Sequence, residues 1–302
     1  LFDDLTMPSG LALHDGALYI AAVSKILRVD NIEANLRRDP PTSVVVDDLP
    51  RARHHGWKYL TANDTGQLYV PVGAPCNICL SDDPRFAALL EVNAQTGKQT
   101  LIASGIRNIV GMAIHPDTGD LWVSNNGRDM LGDDIPADEL NRVPANWLDS
   151  LEGAVPHYGY PFVHSNAANA PAGIIRDPKF GDHDKADGKT FVSAEQRIQA
   201  HSAPLGIAFY TGSTFPDEYN NALFVAEHGS WNRSSKVGYQ ISVMFPNQIG
   251  EARYRPFVTG WLNREKAWGR PNDVLVTPDG DLLIADDQAG KIFRVRFVGT
   301  AS

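Results

Sequence analysis

Cysteine is nearly absent. The chain of 302 residues has two, Cys76 and Cys79, which excludes a multi-bridge scaffold and leaves no second pair for tetrahedral zinc. Leu80 follows where c-type haem attachment needs His, and no thioredoxin-like βαβ pattern surrounds the pair. A short disulfide stiffening a loop is expected, and that favours an oxidising compartment. Long hydrophobic runs are missing too: no apolar stretch approaches the roughly 18 to 20 residues that a spanning helix needs. Basic charge is scarce. Against 36 Asp+Glu stand 27 Lys+Arg, a net charge of −9, so no cationic stripe can gather phosphates and nucleic acid is excluded as a partner. Residue 1 is Leu rather than Met, as expected of a mature form left by a cleaved secretory signal or of a trimmed chain.

What is present is apolar and rich in turns. Hydrophobic residues make up 43% and there are 26 Gly and 20 Pro, enough for a sizeable core with many turns and few long helices. A block recurs: a small residue, alternating apolar positions, a turn carrying Asp and Gly, then a second apolar strand. It reads Gly10-Leu11-Ala12-Leu13-His14-Asp15-Gly16-Ala17-Leu18-Tyr19-Ile20, and returns at 59–70, 111–123 and 273–285. Strand, tight turn, strand is the reading, because Asp-Gly and Thr-Gly tolerate the positive φ of hairpin turns.

A spacing near 50 residues, where regular, is close to that of one propeller blade, and each blade must bury its faces against neighbours. The expectation is a single all-β domain over 1–302, closed as a ring, with long loops in about 128–200. A fifth block spans 203–226, and the gap between Trp122 and Leu205 leaves room for a sixth blade. Within that gap, Asp138–Val143 is expected to return to the sheet as a short strand, and 166–173 to form an exposed loop.

Three groups are equipped for chemistry. Asp129, Asp133, Asp134 and Asp138 sit among Gly127 and Gly132, giving hard oxygen donors and pliable carbonyls of the kind calcium selects. The spacing is not that of an EF-hand, and the plain alternative is a solvated acidic turn. Arg107-Asn108 opens a strand-like run; arginines there are usually surface residues, yet a guanidinium stays charged at any working pH and its fork can hold an oxygen that gains negative charge. Nine histidines are present. Any one with a pKa near ~6.5 can accept a hydroxyl proton near neutrality.

Taken in order, Arg53-His54-His55-Gly56-Trp57-Lys58-Tyr59-Leu60, Gly105-Ile106-Arg107-Asn108-Ile109-Val110-Gly111 and Asn125-Asn126-Gly127-Arg128-Asp129-Met130-Leu131-Gly132-Asp133-Asp134 resemble the soluble quinoprotein sugar dehydrogenases, in their sorbosone and pyranose dehydrogenase branch. The resemblance implies a six-bladed β-propeller, pyrroloquinoline quinone and calcium. It makes His55, rather than His54, the general base and Arg107 the catalytic cation. Asn108, Asn126, His201, Arg233 and Arg270 join Arg107 around the cofactor. Calcium is held by the carbonyls of Gly127 and Arg128 with a carboxylate from Asp133 or Asp134. Asn272 stands where glucose dehydrogenases carry a further arginine. Trp57, Trp231, Trp261 and Trp268 are possible sugar platforms, although aromatic residues in propellers more often pack blades.

The implied function is oxidation of an aldose, a pyranose or a sorbosone-like sugar, with electrons passing to an external acceptor, in the periplasm or outside the cell. Glucose itself is not implied, since His54 replaces the acidic residue that precedes the base in glucose dehydrogenases. Two rivals belong to other classes: a calcium-dependent propeller hydrolase of lactonase type, and a non-catalytic propeller that binds protein or carbohydrate on its rim.

Overall fold

The computed structural model describes residues 2–147 and 154–299. Strands dominate: among the described residues there are 23, with four short 3-10 turns. The chain packs as two compact units, one of Leu1–Val110, Asn146–His164 and Ile174–Ser193, the other of Gly111–Ala145, Ser165–Gly173 and Ala194–Ser302.

The first unit holds two four-stranded antiparallel sheets of propeller-blade type. One runs through β1 (Gly10–His14), β2 (Ala17–Ala22), β3 (Lys25–Val29) and β4 (Ser43–Val46); the other through β5 (Thr61–Ala62), β6 (Gln67–Val72), β7 (Ala88–Asn93) and β8 (Gln99–Ser104). Each strand pairs with the next in sequence, so the connections are hairpins. His14 pairs with Ala17 across Asp15 and Gly16, both at positive φ (48° and 70°), the two-residue turn that Asp-Gly favours because its twist matches that of the strands. The inner faces bury Tyr19, Ile26, Leu60, Leu68, Val70 and Leu90 in one cluster, each contributing about 1.5–3 kcal/mol relative to exposure.

The second unit has three such sheets. The first joins β9 (Ile109–Ile114), β10 (Leu121–Asn125), β11 (Asp138–Val143) and β14 (Gln196–Ile198). The second is β15 (Pro204–Phe209), β16 (Leu223–Glu227), β17 (Gln240–Met244) and β18 (Tyr254–Val258). After the short hairpin of β19 (Leu262–Asn263) and β20 (Lys266–Ala267), the third is β21 (Pro271–Val276), β22 (Leu282–Asp286) and β23 (Lys291–Val295). Two buried clusters fill the unit, one built on Trp122, Leu140, Phe209 and Val225, the other on Tyr210, Phe224, Ile241, Trp261 and Ile284. Trp261, a possible sugar platform by sequence, is only 4% exposed and stacks on Trp268; it is a packing residue.

The small residue that opens the repeated block has a steric cause. A Cβ on Gly10 would lie 2.2 Å from the carbonyl oxygen of Lys58, one on Gly111 2.0 Å from that of Leu205, and one on Gly206 1.8 Å from Oδ1 of Asp273. First strands of neighbouring sheets pass so closely there that only glycine fits.

The chain is all-β, of propeller type, but the expected count of six blades needs correction: five sheets of three or four strands are present among the described residues. Among the described residues, the gap between Trp122 and Leu205 does not supply a complete further blade. Its strand Asp138–Val143 is the third of the sheet begun by β9, as expected. Residues 196–198 return some 50 positions later as that sheet's edge, Asp138 pairing with Ile198. Between them, among the described residues, lie the short strand pair β12 (Val163–Ser165) and β13 (Ile174–Arg176) and a 3-10 turn at Asp184–Ala186. The long gap is an excursion within one blade. Part of the proposed 128–200 loop region, residues 148–153, lies outside the described residues.

Candidate active site

In the first unit, three segments converge on His55. Its backbone has φ 49°, in the left-handed region that is uncommon for residues with a side chain, at a turn closed by Gly56 N–H donating to Arg53 O at 3.0 Å. That turn directs the ring at Ala74, whose carbonyl oxygen lies 2.8 Å from Nδ1. The N–H of Ala74 in turn donates to the carbonyl of Arg107 at 2.8 Å. Gly73 makes the approach possible: a Cβ there would meet Cβ of His55 at 2.5 Å and Oδ1 of Asn108 at 3.2 Å. His55, Arg107 and Asn108, chosen from distant stretches of sequence, are therefore neighbours around Gly73 and Ala74.

The electrostatics define His55 chemically. Burial, then the Arg107 charge, then His54 push its pKa down from 6.5 to about 3, against the Ala74 hydrogen bond, which raises it. The ring is neutral at pH 7. A carbonyl only accepts, so the ring proton sits on Nδ1 and Nε2 carries the lone pair. Arg107 is 4% exposed; its Nε donates to the carbonyl of Asn77 and its Nη2 to Oδ1 of Asn77, both at 2.9 Å. Both of these acceptors on Asn77 are neutral oxygens.

His157, in the same unit, is pushed down to about 4 by burial and by Lys189. Both histidines thus have folded pKa values below that of the unfolded chain, which binds more protons between pH 6.5 and 3 to 4. Stability is fully present above pH 6.5 and lost as the pH falls toward those values. At 1.36 kcal/mol per unit, each costs roughly 2 kcal/mol by pH 5. Urea midpoints should fall between pH 7.5 and 5, and a His157→Gln variant should flatten that slope; an unaltered slope would refute the His157 assignment.

In the second unit the acidic loop is tied down from two sides. Gly127 N–H donates to Oδ1 of Asp138 at 2.8 Å, and Asn126 gives its amide N–H to the carbonyl of Pro204 at 2.9 Å. Arg128 is buried and its Nε donates to the carbonyl of Asp129. His201 places Nε2 2.8 Å from the carbonyl of Gly132 and Nδ1 3.9 Å from Asp129. Arg233 donates to the carbonyl of Asp133 and, at 3.0 Å, to Oδ1 of Asp134. The N–H of Ser234 donates to Oδ1 of Asp133 and, with Arg233 and His201, holds that carboxyl below its usual range. The structure thus joins His201, Arg233 and the 127–134 loop, beside a cavity of 550 Å³ lined by Met130, Asp133, Trp231 and Arg233. Arg270 lies further along the same unit, donating from Nε and Nη2 to the carbonyls of His228 and Gly229.

The donors can be tested against the groups they were expected to hold. Nε of Arg233 is buried with no hydrogen-bond partner, a cost unless a ligand supplies an acceptor, and a carboxylate of the quinone fits it. For calcium, the carbonyls of Gly127 and Arg128 are suitable donors. Asp133 and Asp134 are less so, since Arg233 and Ser234 already engage them. Among the described residues no group of three or more His, Cys, Asp or Glu side chains could hold a metal, so the cradle would rest on backbone oxygen. Cys76 and Cys79 form the expected disulfide.

Sequence reasoning missed two features. Asn77 accepts two hydrogen bonds from Arg107, and its place between the two cysteines was the available signal. His228 pairs through Nε2 with Asp287 at 2.9 Å; it lies in the segment Glu227-His228-Gly229, but nothing in the sequence marks Asp287 as its partner.

Comparisons with known proteins bear on the family and the fold. An uncharacterized protein of Borreliella burgdorferi is 34% identical over 307 residues, covering 97% of this chain and 76% of that protein. A pyrroloquinoline quinone-dependent sugar dehydrogenase of Hypocrea jecorina is 24% identical over 269 residues, covering 76% of this chain and 60% of that enzyme. The calcium structure of the Trichoderma reesei carbohydrate-active enzyme of family AA12 superposes with a TM-score of 0.78 at 20% identity, over 94% of this chain and 79% of that one. With the TrAA12-like family profile matching residues 3–297, the chain belongs to the TrAA12-like family.

Proposed function

We propose that the protein is a quinoprotein oxidoreductase that oxidises an aldose, a pyranose or a sorbosone-like sugar, with pyrroloquinoline quinone and calcium as cofactors. The observation that carries this reading is the His55–Arg107 pair: a neutral imidazole with its proton fixed on Nδ1, and a buried guanidinium whose charge acts on it and whose fork is bonded to Asn77. Nε2 of His55 accepts the proton of the sugar hydroxyl as the carbon that bears it is oxidised. The quinone, when bound, supplies the two-electron acceptor for that carbon.

Arg107 and Asn108 hold an oxygen that becomes negative, and the fixed charge of Arg107 needs no rearrangement to do so. Arg233, Arg270 and His201 bind and orient the anionic carboxylates, with Asn126 as a further amide for the cofactor. The carbonyls of Gly127 and Arg128 form the cradle for the cation, with a carboxylate of Asp133 or Asp134 in a secondary part. Electrons leave to an external acceptor. The Cys76–Cys79 bridge supports a periplasmic or secreted setting.

Reconstitution tests the reading. Protein incubated with calcium and the quinone should acquire a bound chromophore that bleaches on adding an aldose or pyranose, together with dye-linked sugar oxidation. Saturable calcium binding with lactone hydrolysis and no oxidation would replace this reading by the hydrolase.

A further inference from the structure

We propose that Asn77 is the positioning residue for the Arg107 guanidinium and that the Cys76–Cys79 ring is what holds Asn77 in place. The disulfide closes a loop of four residues whose Cα ends are 6.1 Å apart. Inside it, Asn77 turns two acceptors toward one guanidinium: its carbonyl receives Nε and its Oδ1 receives Nη2, each at 2.9 Å. Two parallel bonds from one residue fix both the position and the plane of the fork, where a single bond would leave it free to rotate.

The ring is braced from behind. Tyr160, 5% exposed, accepts the N–H of Cys79 at 3.0 Å and sets its hydroxyl 3.5 Å from the carbonyl of Asn77. The N–H of Tyr160 donates to the carbonyl of Gly105, two residues before Arg107. Asn77 is also chemically suited. An amide accepts hydrogen bonds without neutralising the guanidinium, where an aspartate would cancel the charge that Arg107 brings to the site. A loop of this length is cheap to close and stiff once closed, so the bridge serves local order more than global stability.

The catalytic consequence rests on the proposed oxidoreductase reading; the positioning itself does not. In the cofactor-free protein, the guanidinium N–H protons of Arg107 can be followed by hydrogen exchange in nuclear magnetic resonance, with an Arg107→Lys variant to assign them. Asn77→Ala removes the Oδ1 acceptor of Nη2, and Cys76→Ser/Cys79→Ser frees the carbonyl bonded to Nε. We expect exchange at least about tenfold faster at Nη2 in the first and at Nε in the second. In the reconstituted enzyme kcat should fall by about tenfold with KM little changed, the mark of a misplaced group rather than lost binding. A folded Asn77→Ala protein with a smaller change in exchange overturns the proposal, and it decides the matter even if the serine pair fails to fold. Should the parent itself oxidise no sugar, the exchange arm still stands and only the activity reading fails.

Discussion

Replacing His55 by alanine is expected to lower kcat for sugar oxidation by about 10² to 10⁴-fold, the usual contribution of a positioned general base, with KM within a few-fold of the parent. Ala74 fixes the ring proton on Nδ1, so Nε2 is the basic nitrogen, and its bond to the substrate proton strengthens only as that proton transfers. His55→Asn is the companion variant. Asparagine tolerates the left-handed backbone at this position better than alanine but has no basic nitrogen, so equal losses in both variants separate chemistry from strain at φ 49°. The pH profile adds a second check. With a pKa of about 3, the base is ready throughout the neutral range, and kcat/KM of the free enzyme should show no imidazole limb between pH 5 and 8. A limb near pH 6.5 that persists in the His55 variants would move the base elsewhere, with His228 and its partner Asp287 the next group to try. A parental rate in His55→Ala would remove the assignment outright.

Local chemistry explains which parts of the fold were legible. Asp15-Gly16 and the Thr-Pro-Asp-Gly segment ending at Gly280 are turns because of residues that tolerate positive φ there, and such signals travel with the sequence. The glycines at 10, 111 and 206 were visible as a repeated small residue, although what they touch was not. Residues 145–200 were opaque for a different reason. Strand β14 is three residues long and exists through pairing with Asp138–Leu140, a contact across more than 50 positions with little local periodicity to announce it. The same limit applies at the site. His55, Arg107 and Asn108 could be picked by resemblance and do lie together, whereas the Asn77, Ala74 and Gly132 contacts run largely through backbone carbonyls, which every residue type possesses. Glu227, next to His228, shows the converse. It is fully buried, accepts from Ser242, Tyr254 and Gln240, and burial pushes its carboxyl up, so an acidic residue within a site motif belongs to the packing of the blade.

Asp138 shows most sharply how a residue that reads as a ligand can be a clamp, and its loss should have the largest effect on stability. Counted by sequence among four acids of a calcium-like loop, it is 3% exposed, with Oδ1 accepting from Gly127 N–H and Oδ2 from Ala203 N–H, both at 2.8 Å. Alanine at 138 strips the acceptor from two backbone donors at about 1–3 kcal/mol each. A loss of about 3–5 kcal/mol and a Tm lower by roughly 6–15 °C follow for a chain of this size. Asparagine, which keeps one acceptor oxygen, should fall between alanine and the parent. The functional consequence runs through Gly127, since the peptide whose N–H is released adjoins the carbonyl assigned to calcium. Calcium should therefore raise the Tm of Asp138→Ala by less than that of the parent, reflecting affinity weakened by about tenfold or more. Asp133→Ala and Asp134→Ala act on carboxylates already shared with Ser234 and Arg233 and should shift the calcium response less. If either of these abolishes the response while Asp138→Ala retains it, the cradle is built from side chains and not from the carbonyls that Asp138 holds in place.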